Sequence, residues 1–180
     1  MAVDGTLLEF MPVNIEIKAK VRDFDSVRER AESISEAPVE KIIQSDTFFN
    51  SSRGRLKMRV LAPDRAQLIF YERPDQNGPK RSEYHICQID NPGVMLDLLS
   101  MALGVRGVVR KTRYLYKVDQ TRIHLDTVSG LGQFVELEVV LGEGQNDDQG
   151  RLVAEALMAK LEINPEDLVE GAYMDLLESE

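Results

Sequence analysis

Alternation of apolar and polar residues with a period of two dominates this chain. β-Branched and aromatic residues occupy the apolar positions and turn residues separate the runs, which is typical of β-strands. We predict strands over residues 13–21, 39–49, 55–62, 66–73, 82–90, 107–118, 121–128 and 133–141. The short junctions at 62–65 and at 119–120 resemble hairpin turns, so we expect an antiparallel sheet in which sequence neighbours pair, as in a meander.

Helical spacing of apolar residues occurs in only a few segments. One predicted helix follows Asp25, a candidate N-cap, and a second ends at Gly104. A third is expected over 148–161 and a short fourth from Pro165 through Leu177. The acidic end of the chain, from Glu170 to Glu180, is interpreted as a solvated helix end. We expect one domain over 1–180, in which residues 1–11 are a loose tail.

Charged residues share one face on several of the predicted strands. The faces that alternation groups together are Asn14, Glu16 and Lys18; Arg55, Lys57 and Arg59; Lys111 and Arg113; Arg122, His124 and Asp126; and Glu136 and Glu138. Glutamates therefore lie on the first and last strands, with paired cations on the strands between them. The commonest explanation of such a face is exposure to solvent on the outside of a sheet.

A second explanation is that the charged faces line a closed interior. The predicted helices have apolar faces that a sheet must cover, so the apolar strand faces can pack outward against them. We therefore predict an α+β fold, an eight-stranded antiparallel closed β-barrel with helices packed on its outside. Buried like charges repel, so such an interior requires an anion and a metal ion. Cations suit a polyphosphate, and carboxylates suit Mg²⁺ or Mn²⁺.

Overall composition narrows the partners further. The formal net charge of −9 argues against non-specific binding to nucleic acid or to anionic membranes, because both need a basic surface. No run approaches the roughly 20 apolar residues of a membrane span. With a single cysteine, Cys87, and no basic-then-apolar leader, we expect a cytoplasmic protein without disulfides.

Seven short motifs occur in an order that resembles the CYTH superfamily, the triphosphate tunnel metalloenzymes. They are Asn14-Ile15-Glu16-Ile17-Lys18, the run 55–59, the run 68–82, Lys111-Thr112-Arg113, the run 122–126, the run 132–138 and the closing run 167–177. Together they extend over residues 14–177. The first resembles the family's ExExK signature with Asn14 in place of the first Glu. An asparagine adds no negative charge, so one metal site and two metal sites both stay open.

The resemblance implies an eight-stranded tunnel that holds a triphosphate and a divalent metal, Mg²⁺ or Mn²⁺. Matching positions assign metal binding to Glu16, Glu136 and Glu138, with Asp126 as a supporting carboxylate. Phosphate-binding positions would be Lys18, Lys57, Arg59, Arg73, Lys80, Lys111, Arg113 and Arg122. The catalytic set would be Glu16, Lys18, Glu136 and Glu138. For His124, both proton transfer and a structural or phosphate-adjacent hydrogen bond are open.

Three functions fit this tunnel. The first is metal-dependent hydrolysis of a nucleoside, inorganic or organic triphosphate, in which activated water attacks the terminal phosphate. The second is a class IV adenylyl cyclase, in which the ribose hydroxyl of ATP attacks the α-phosphate. The third is a sensor that binds polyphosphate or nucleotide without turnover. The expected partner is a small-molecule triphosphate, and the chain is compatible with a monomer or a homodimer.

Overall fold

The computed structural model describes residues 12–179, and eight β-strands form its centre. They are β1 (Val13–Lys20), β2 (Glu40–Phe49), β3 (Arg55–Ala62), β4 (Arg65–Glu72), β5 (Lys80–Ile89), β6 (Val105–Val118), β7 (Thr121–Val128) and β8 (Gly132–Val140). The strands close into an antiparallel barrel in the order β1-β5-β4-β3-β2-β6-β7-β8. The prediction of an eight-stranded closed barrel is confirmed. The tail expected over residues 1–11 lies outside the described residues.

Four α-helices accompany the strands: α1 (Phe24–Ile34), α2 (Pro92–Leu103), α3 (Asp147–Leu161) and α4 (Tyr173–Ser179). The N-cap of α1 is Asp23, whose carboxylate accepts from the amide of Ser26, and not the predicted Asp25. Helix α2 ends as predicted at Gly104, whose φ of 75° suits glycine. None of the helices within residues 12–179 is long and apolar enough to cross a membrane.

The predicted meander is wrong at two connections. Consecutive strands pair from β2 to β5 and from β6 to β8, but β1 lies between β5 and β8, and β2 pairs with β6. The two departures fall where α1 follows β1 and α2 follows β5. A tight turn can join only adjacent antiparallel strands, whereas a segment containing a helix can reach a distant one.

Two outer cores lie between the barrel and its helices. On one side, Ile17, Leu137 and Ile123 point outward from β1, β8 and β7 and pack in a cluster that includes residues of α1 and α3. Helix α3 lies so close to β1 that a Cβ atom added at Gly150 would be 2.5 Å from Ile15. On the other side, Met58 and its neighbours pack against α2. The apolar strand faces therefore point outward, as predicted.

The last helix departs from the prediction. The segment expected to be one helix from Pro165 through Leu177 is a 3₁₀ turn, an extended stretch and then α4, because Gly171 adopts a φ of 73°. Tyr173 and Met174 are buried against Phe134 and other residues of the inner barrel face. Helix α4 thus closes one end of the barrel instead of packing outside it. The interpretation of the chain's acidic end as solvated holds for Glu170, Glu178 and Ser179, which are exposed, and is wrong for Tyr173 and Met174.

Candidate functional site

The barrel encloses a cavity of about 410 Å³. Its lining contains the side chains that alternation placed on the charged faces, except Arg55 and Asp126, together with Ala172 and Tyr173 from the closed end. Arg55 donates instead to Asp75 and Asp175. Seven cationic residues line it: Lys18, Lys57, Arg59, Arg73, Lys111, Arg113 and Arg122. Four acidic residues line it as well: Glu16, Asp46, Glu136 and Glu138. The wall therefore has three more cations than acids, in a chain whose net charge is −9.

Asp126 orients two of these cations at the wall. Its carboxylate accepts from Lys111 Nζ at 2.9 Å and from Arg113 Nε at 2.7 Å, and it also accepts from the Tyr173 hydroxyl at 3.0 Å. Although burial raises the pKa of Asp126, these two cations hold it well below its usual value. With its oxygens occupied in this way, Asp126 is an anchor for cations, and metal binding there stays a prediction from the resemblance.

Asp46 repeats this arrangement on β2. It accepts from Lys57 Nζ at 2.8 Å and from Arg59 Nε at 2.8 Å, and these cations hold the pKa of the buried carboxyl far below its usual value despite desolvation. The sequence analysis did not identify Asp46. Its alternation with Gln44 and Phe48, which both line the cavity, is the pattern that would have revealed it.

A second kind of cluster combines Glu136, Glu138 and His124. One ligand atom from each of these residues lies within 4.8 Å of the other two. Burial raises the pKa values of both carboxyls, but nearby cations outweigh this effect, chiefly Lys18 for Glu136 and Arg122 for Glu138, so both pKa values lie below their usual range. Burial lowers the pKa of His124, which favours a neutral imidazole. The cluster therefore presents two carboxylates and a neutral ring nitrogen.

These donors fit a divalent cation. Carboxylate oxygen and imidazole nitrogen are both common metal ligands in proteins. The buried Nδ1 of His124 has no hydrogen-bond partner, which is costly for a polar atom unless something else binds it. Glu16, a predicted ligand, pairs with Glu138 across the β1–β8 ladder, but its carboxylate accepts from Arg73 at 2.8 Å. Burial and the nearby Glu138 raise the pKa of Glu16, although Arg73 opposes the change.

Lys18 lies at the centre of the site. Its Nζ is 3.3 Å from a carboxylate oxygen of Glu136, donates to the carbonyl of Gly171 and lies 3.8 Å from the ring centroid of Tyr173. Burial lowers the pKa of Lys18 to about 7, with Glu136 opposing the change. Tyr173 was part of a matched motif but had no predicted role, because the fold of the last segment was predicted incorrectly.

The remaining predicted positions divide between the cavity and the wall behind it. Arg122 Nε donates to Glu138 at 2.9 Å. With its amide oriented by its partners, Asn14 accepts from Arg122 at 3.2 Å and donates to the carbonyl of Val13 at 3.3 Å. Lys80 is fully buried and donates to the carbonyls of Gln76 and Val169, so it lies outside the cavity lining.

The cavity has an apolar wall at the end that lies away from α4. Four branched side chains lie there, on strands β2, β4, β5 and β6: Ile42, Ile69, Ile86 and Leu115. Tyr84 lines the same region, and the nearby buried oxygen of the Gln44 side chain has no hydrogen-bond partner. The sequence analysis did not identify this apolar wall, because it followed only the charged residues of each face.

Solved structures share this fold. A Pyrococcus horikoshii protein superposes with a TM-score of 0.78 at 23% identity, covering 91% of this chain and 98% of that one. A Vibrio parahaemolyticus protein, provisionally named an adenylate cyclase, superposes at 0.75 with 19% identity, over 94% and 99% of the two chains. A Hippeastrum protein, provisionally named an adenylyl cyclase and described as having a dominant triphosphatase activity, superposes at 0.65 with 16% identity, over 94% and 96%.

Sequence comparison identifies the family. A protein from Methanocaldococcus jannaschii, provisionally named an adenylate cyclase, is 25% identical over 173 residues, which cover 91% of this chain and 98% of that protein. The family model of the CYTH domain matches residues 13–173, which include every strand of the barrel and its charged lining. This chain belongs to the CYTH domain family.

Proposed function

We propose that this protein is a divalent-metal-dependent hydrolase of a small triphosphate-bearing substrate. The observation that carries the proposal is the cavity itself, in which seven cations face four acids although the chain as a whole is acidic. A polyphosphate chain matches that excess of positive charge. Because α4 closes one end, a triphosphate attached to a larger group would enter with its terminal phosphate first.

The anchored cations are suited to hold this chain without large rearrangement. Asp46 and Asp126 fix Lys57, Arg59, Lys111 and Arg113 on the wall through charge-assisted hydrogen bonds. Each ammonium or guanidinium group has more than one N–H, so donors remain for phosphate oxygens. Donors that are oriented in advance stabilise developing charge at little reorganisation cost.

Glu136 and Glu138 would hold the divalent cation. Bound there, it would neutralise negative charge on the phosphate oxygens during displacement. The two glutamates carry charge in the free protein because their pKa values are low. They are therefore ready to bind a cation at neutral pH without first losing protons.

Lys18 is the group best suited to accept the proton of the attacking water. With a pKa of about 7, a large fraction of its Nζ is neutral near neutral pH, and a base of that pKa matches the working pH. The proton of water would pass to Nζ as the oxygen attacks the terminal phosphorus. The bond from that phosphorus to its bridging oxygen would break, and the diphosphate product would leave with the bond's electron pair.

An adenylyl cyclase is the second candidate. The apolar wall of Ile42, Ile69, Ile86 and Leu115 supports it, because inorganic triphosphate has no surface that such a wall would bind. The unpaired Gln44 amide beside that wall could bind the edge of a base. The names of the Methanocaldococcus and Vibrio relatives favour this activity, whereas the description of the Hippeastrum protein favours the hydrolase.

Product analysis distinguishes the candidates. The protein is incubated separately with ATP, inorganic triphosphate and thiamine triphosphate, each with Mg²⁺ and with Mn²⁺, and the products are resolved by chromatography. Orthophosphate is the expected product. Cyclic AMP with pyrophosphate would replace the proposal by the cyclase, and binding without any product would identify a sensor.

A further inference from the structure

His124 presents a buried nitrogen that nothing else in the described chain uses. The side chain is 4% exposed and its Nδ1 has no hydrogen-bond partner. The nearest carboxylate oxygens are those of Glu138 at 3.6 Å and Glu136 at 3.8 Å, both too far for a hydrogen bond. Two carboxylate oxygens therefore lie near one ring nitrogen without a hydrogen bond to it.

The gaps match the spacing of ligands around one metal ion. Ligand atoms at about 2.1 Å from an octahedral ion are separated by roughly 3.0 Å when adjacent and 4.2 Å when opposite. The two separations of His124 Nδ1 from the carboxylate oxygens, 3.6 and 3.8 Å, lie inside that range. Cross-strand pairing fixes the positions, since His124 is directly opposite Glu136 in the β7–β8 ladder.

The first strand does not offer an equivalent donor. Asn14 carries no charge, and its amide is occupied by Arg122 and the carbonyl of Val13. Glu16 is held by Arg73. Glu136 is likewise held by Arg113 and Lys18, so a bound ion would compete with these cations for carboxylate oxygens. Among these neighbours, the imidazole of His124 is the group whose donor atom is both buried and unpaired.

We propose that His124 is a metal ligand through Nδ1, and that this nitrogen makes the centre select a first-row transition metal ion over Mg²⁺. The inference rests on the metal centre of the proposed function and adds its ligand set and its metal class. Mg²⁺ prefers an all-oxygen shell, whereas transition metal ions bind imidazole well. A site of two carboxylates and one imidazole therefore favours Mn²⁺ and its later neighbours.

Mn²⁺ alone is the probe for this inference. Its binding to the full chain is titrated by electron paramagnetic resonance, and Mg²⁺ affinity is measured by competition. We expect Mn²⁺ to bind the wild-type protein more tightly than Mg²⁺ does. Pulsed resonance on the bound ion should show coupling to a nitrogen nucleus, which an all-oxygen shell lacks. Neither measurement depends on turnover.

The chain has two histidines, and the second provides a matched control. His124→Gln should abolish the nitrogen coupling and remove the preference for Mn²⁺ while Mg²⁺ affinity changes little. His85→Gln, an exposed position on β5, should keep both. Absence of nitrogen coupling in the wild-type protein would overturn the inference even if His124→Gln failed to fold.

Other results separate this inference from the proposed function. Coupling that persists in His124→Gln, or equal Mn²⁺ and Mg²⁺ affinities in the wild type, would overturn His124 as a ligand while triphosphate hydrolysis could still be observed. Failure of the wild-type protein to bind either ion would overturn both the inference and the metal-dependent mechanism.

Discussion

Successive residues of strand β8 point alternately to two faces, an apolar outer face and a charged inner face. Its outward Leu137 is fully buried between Ile17 of β1 and Ile123 of β7. The inward Glu136, one residue away, lies between Lys18 and His124 of the same two strands. The row of residues across the three strands at Leu137 therefore belongs to the apolar core under α1 and α3, and the next row, at Glu136, belongs to the charged site.

The difference separates stability from activity along one strand. Burial of apolar area on the outer face stabilises the fold, at roughly 25 cal/mol per Å². The inner face opposes folding, because its charges lose their hydration and the ion pairs offset only part of that free-energy cost. The outer cores must compensate for this cost. Substitutions on alternate residues of β8 should therefore affect different measurements.

The largest expected effect is on the outer face. Leu137→Ala removes a fully buried side chain from the core under α1 and α3, so we expect the free energy of unfolding to fall by about 2–5 kcal/mol. Urea denaturation measures this loss. At a temperature where the variant stays folded, its kcat should match that of the wild type, and a kcat loss as large as that of an inner-face variant would contradict the separation.

The inner face should behave in the opposite way. Glu138→Gln keeps the shape of the side chain but removes a charge that the proposed metal centre needs, so we expect turnover to fall by about a hundredfold or more. Because nearby cations lower the pKa of Glu138, its charge contributes to stability at neutral pH, and the free energy of unfolding should fall somewhat. The fall should be smaller than in Leu137→Ala, because the lost charge also lies opposite the like charge of Glu16. Wild-type turnover at limiting metal concentration would show that Glu138 does not bind the ion.

Alternation was sufficient to predict the two faces but not the order of the strands. A period of two assigns each residue to a face whatever its neighbours are, so Glu136 and Leu137 were separated correctly. Strand order depends on how α1 and α2 redirect the chain, which is determined by packing between distant segments. Local turn residues carry no information about it.

The closed end of the barrel shows a second limit of the sequence. Residues 165–177 have apolar residues at helical spacing, but Gly171 adopts a positive φ and the extended stretch before it bonds to β1, where Val169 donates to the carbonyl of Lys18. The predicted helix therefore begins only at Tyr173. Its burial within the barrel depends on a gap that the eight strands create together, and no local pattern describes that gap.

Within the inner face, single cations should have smaller effects than the metal-binding glutamates. Lys57→Ala removes one charge-assisted contact but leaves Asp46 paired with Arg59, so the fold should be retained. We expect triphosphate binding to weaken by about 1.5–3 kcal/mol in calorimetry. The binding free energy of monophosphate should weaken far less. Lys160→Ala, on the exposed surface of α3, changes the net charge equally and should leave binding unchanged. Equal losses for both ligands would contradict a triphosphate contact.

The smallest expected effect is a pH dependence that only the inner face can produce. Burial lowers the pKa of Lys18 from its usual value to about 7, so the neutral base fraction grows as pH rises through 7 and is lost below it. The pH profile of kcat/KM, which reports the free enzyme, should therefore fall about tenfold per pH unit below that value. Lys18→Arg, in which the side chain is always charged, should have low activity without this fall below pH 7. Leu137→Ala should keep the fall. If the fall in kcat/KM below pH 7 persists in Lys18→Arg, the titrating group belongs to the substrate. If the wild-type profile falls above pH 7 instead, charged Lys18 binds phosphate and does not accept the proton.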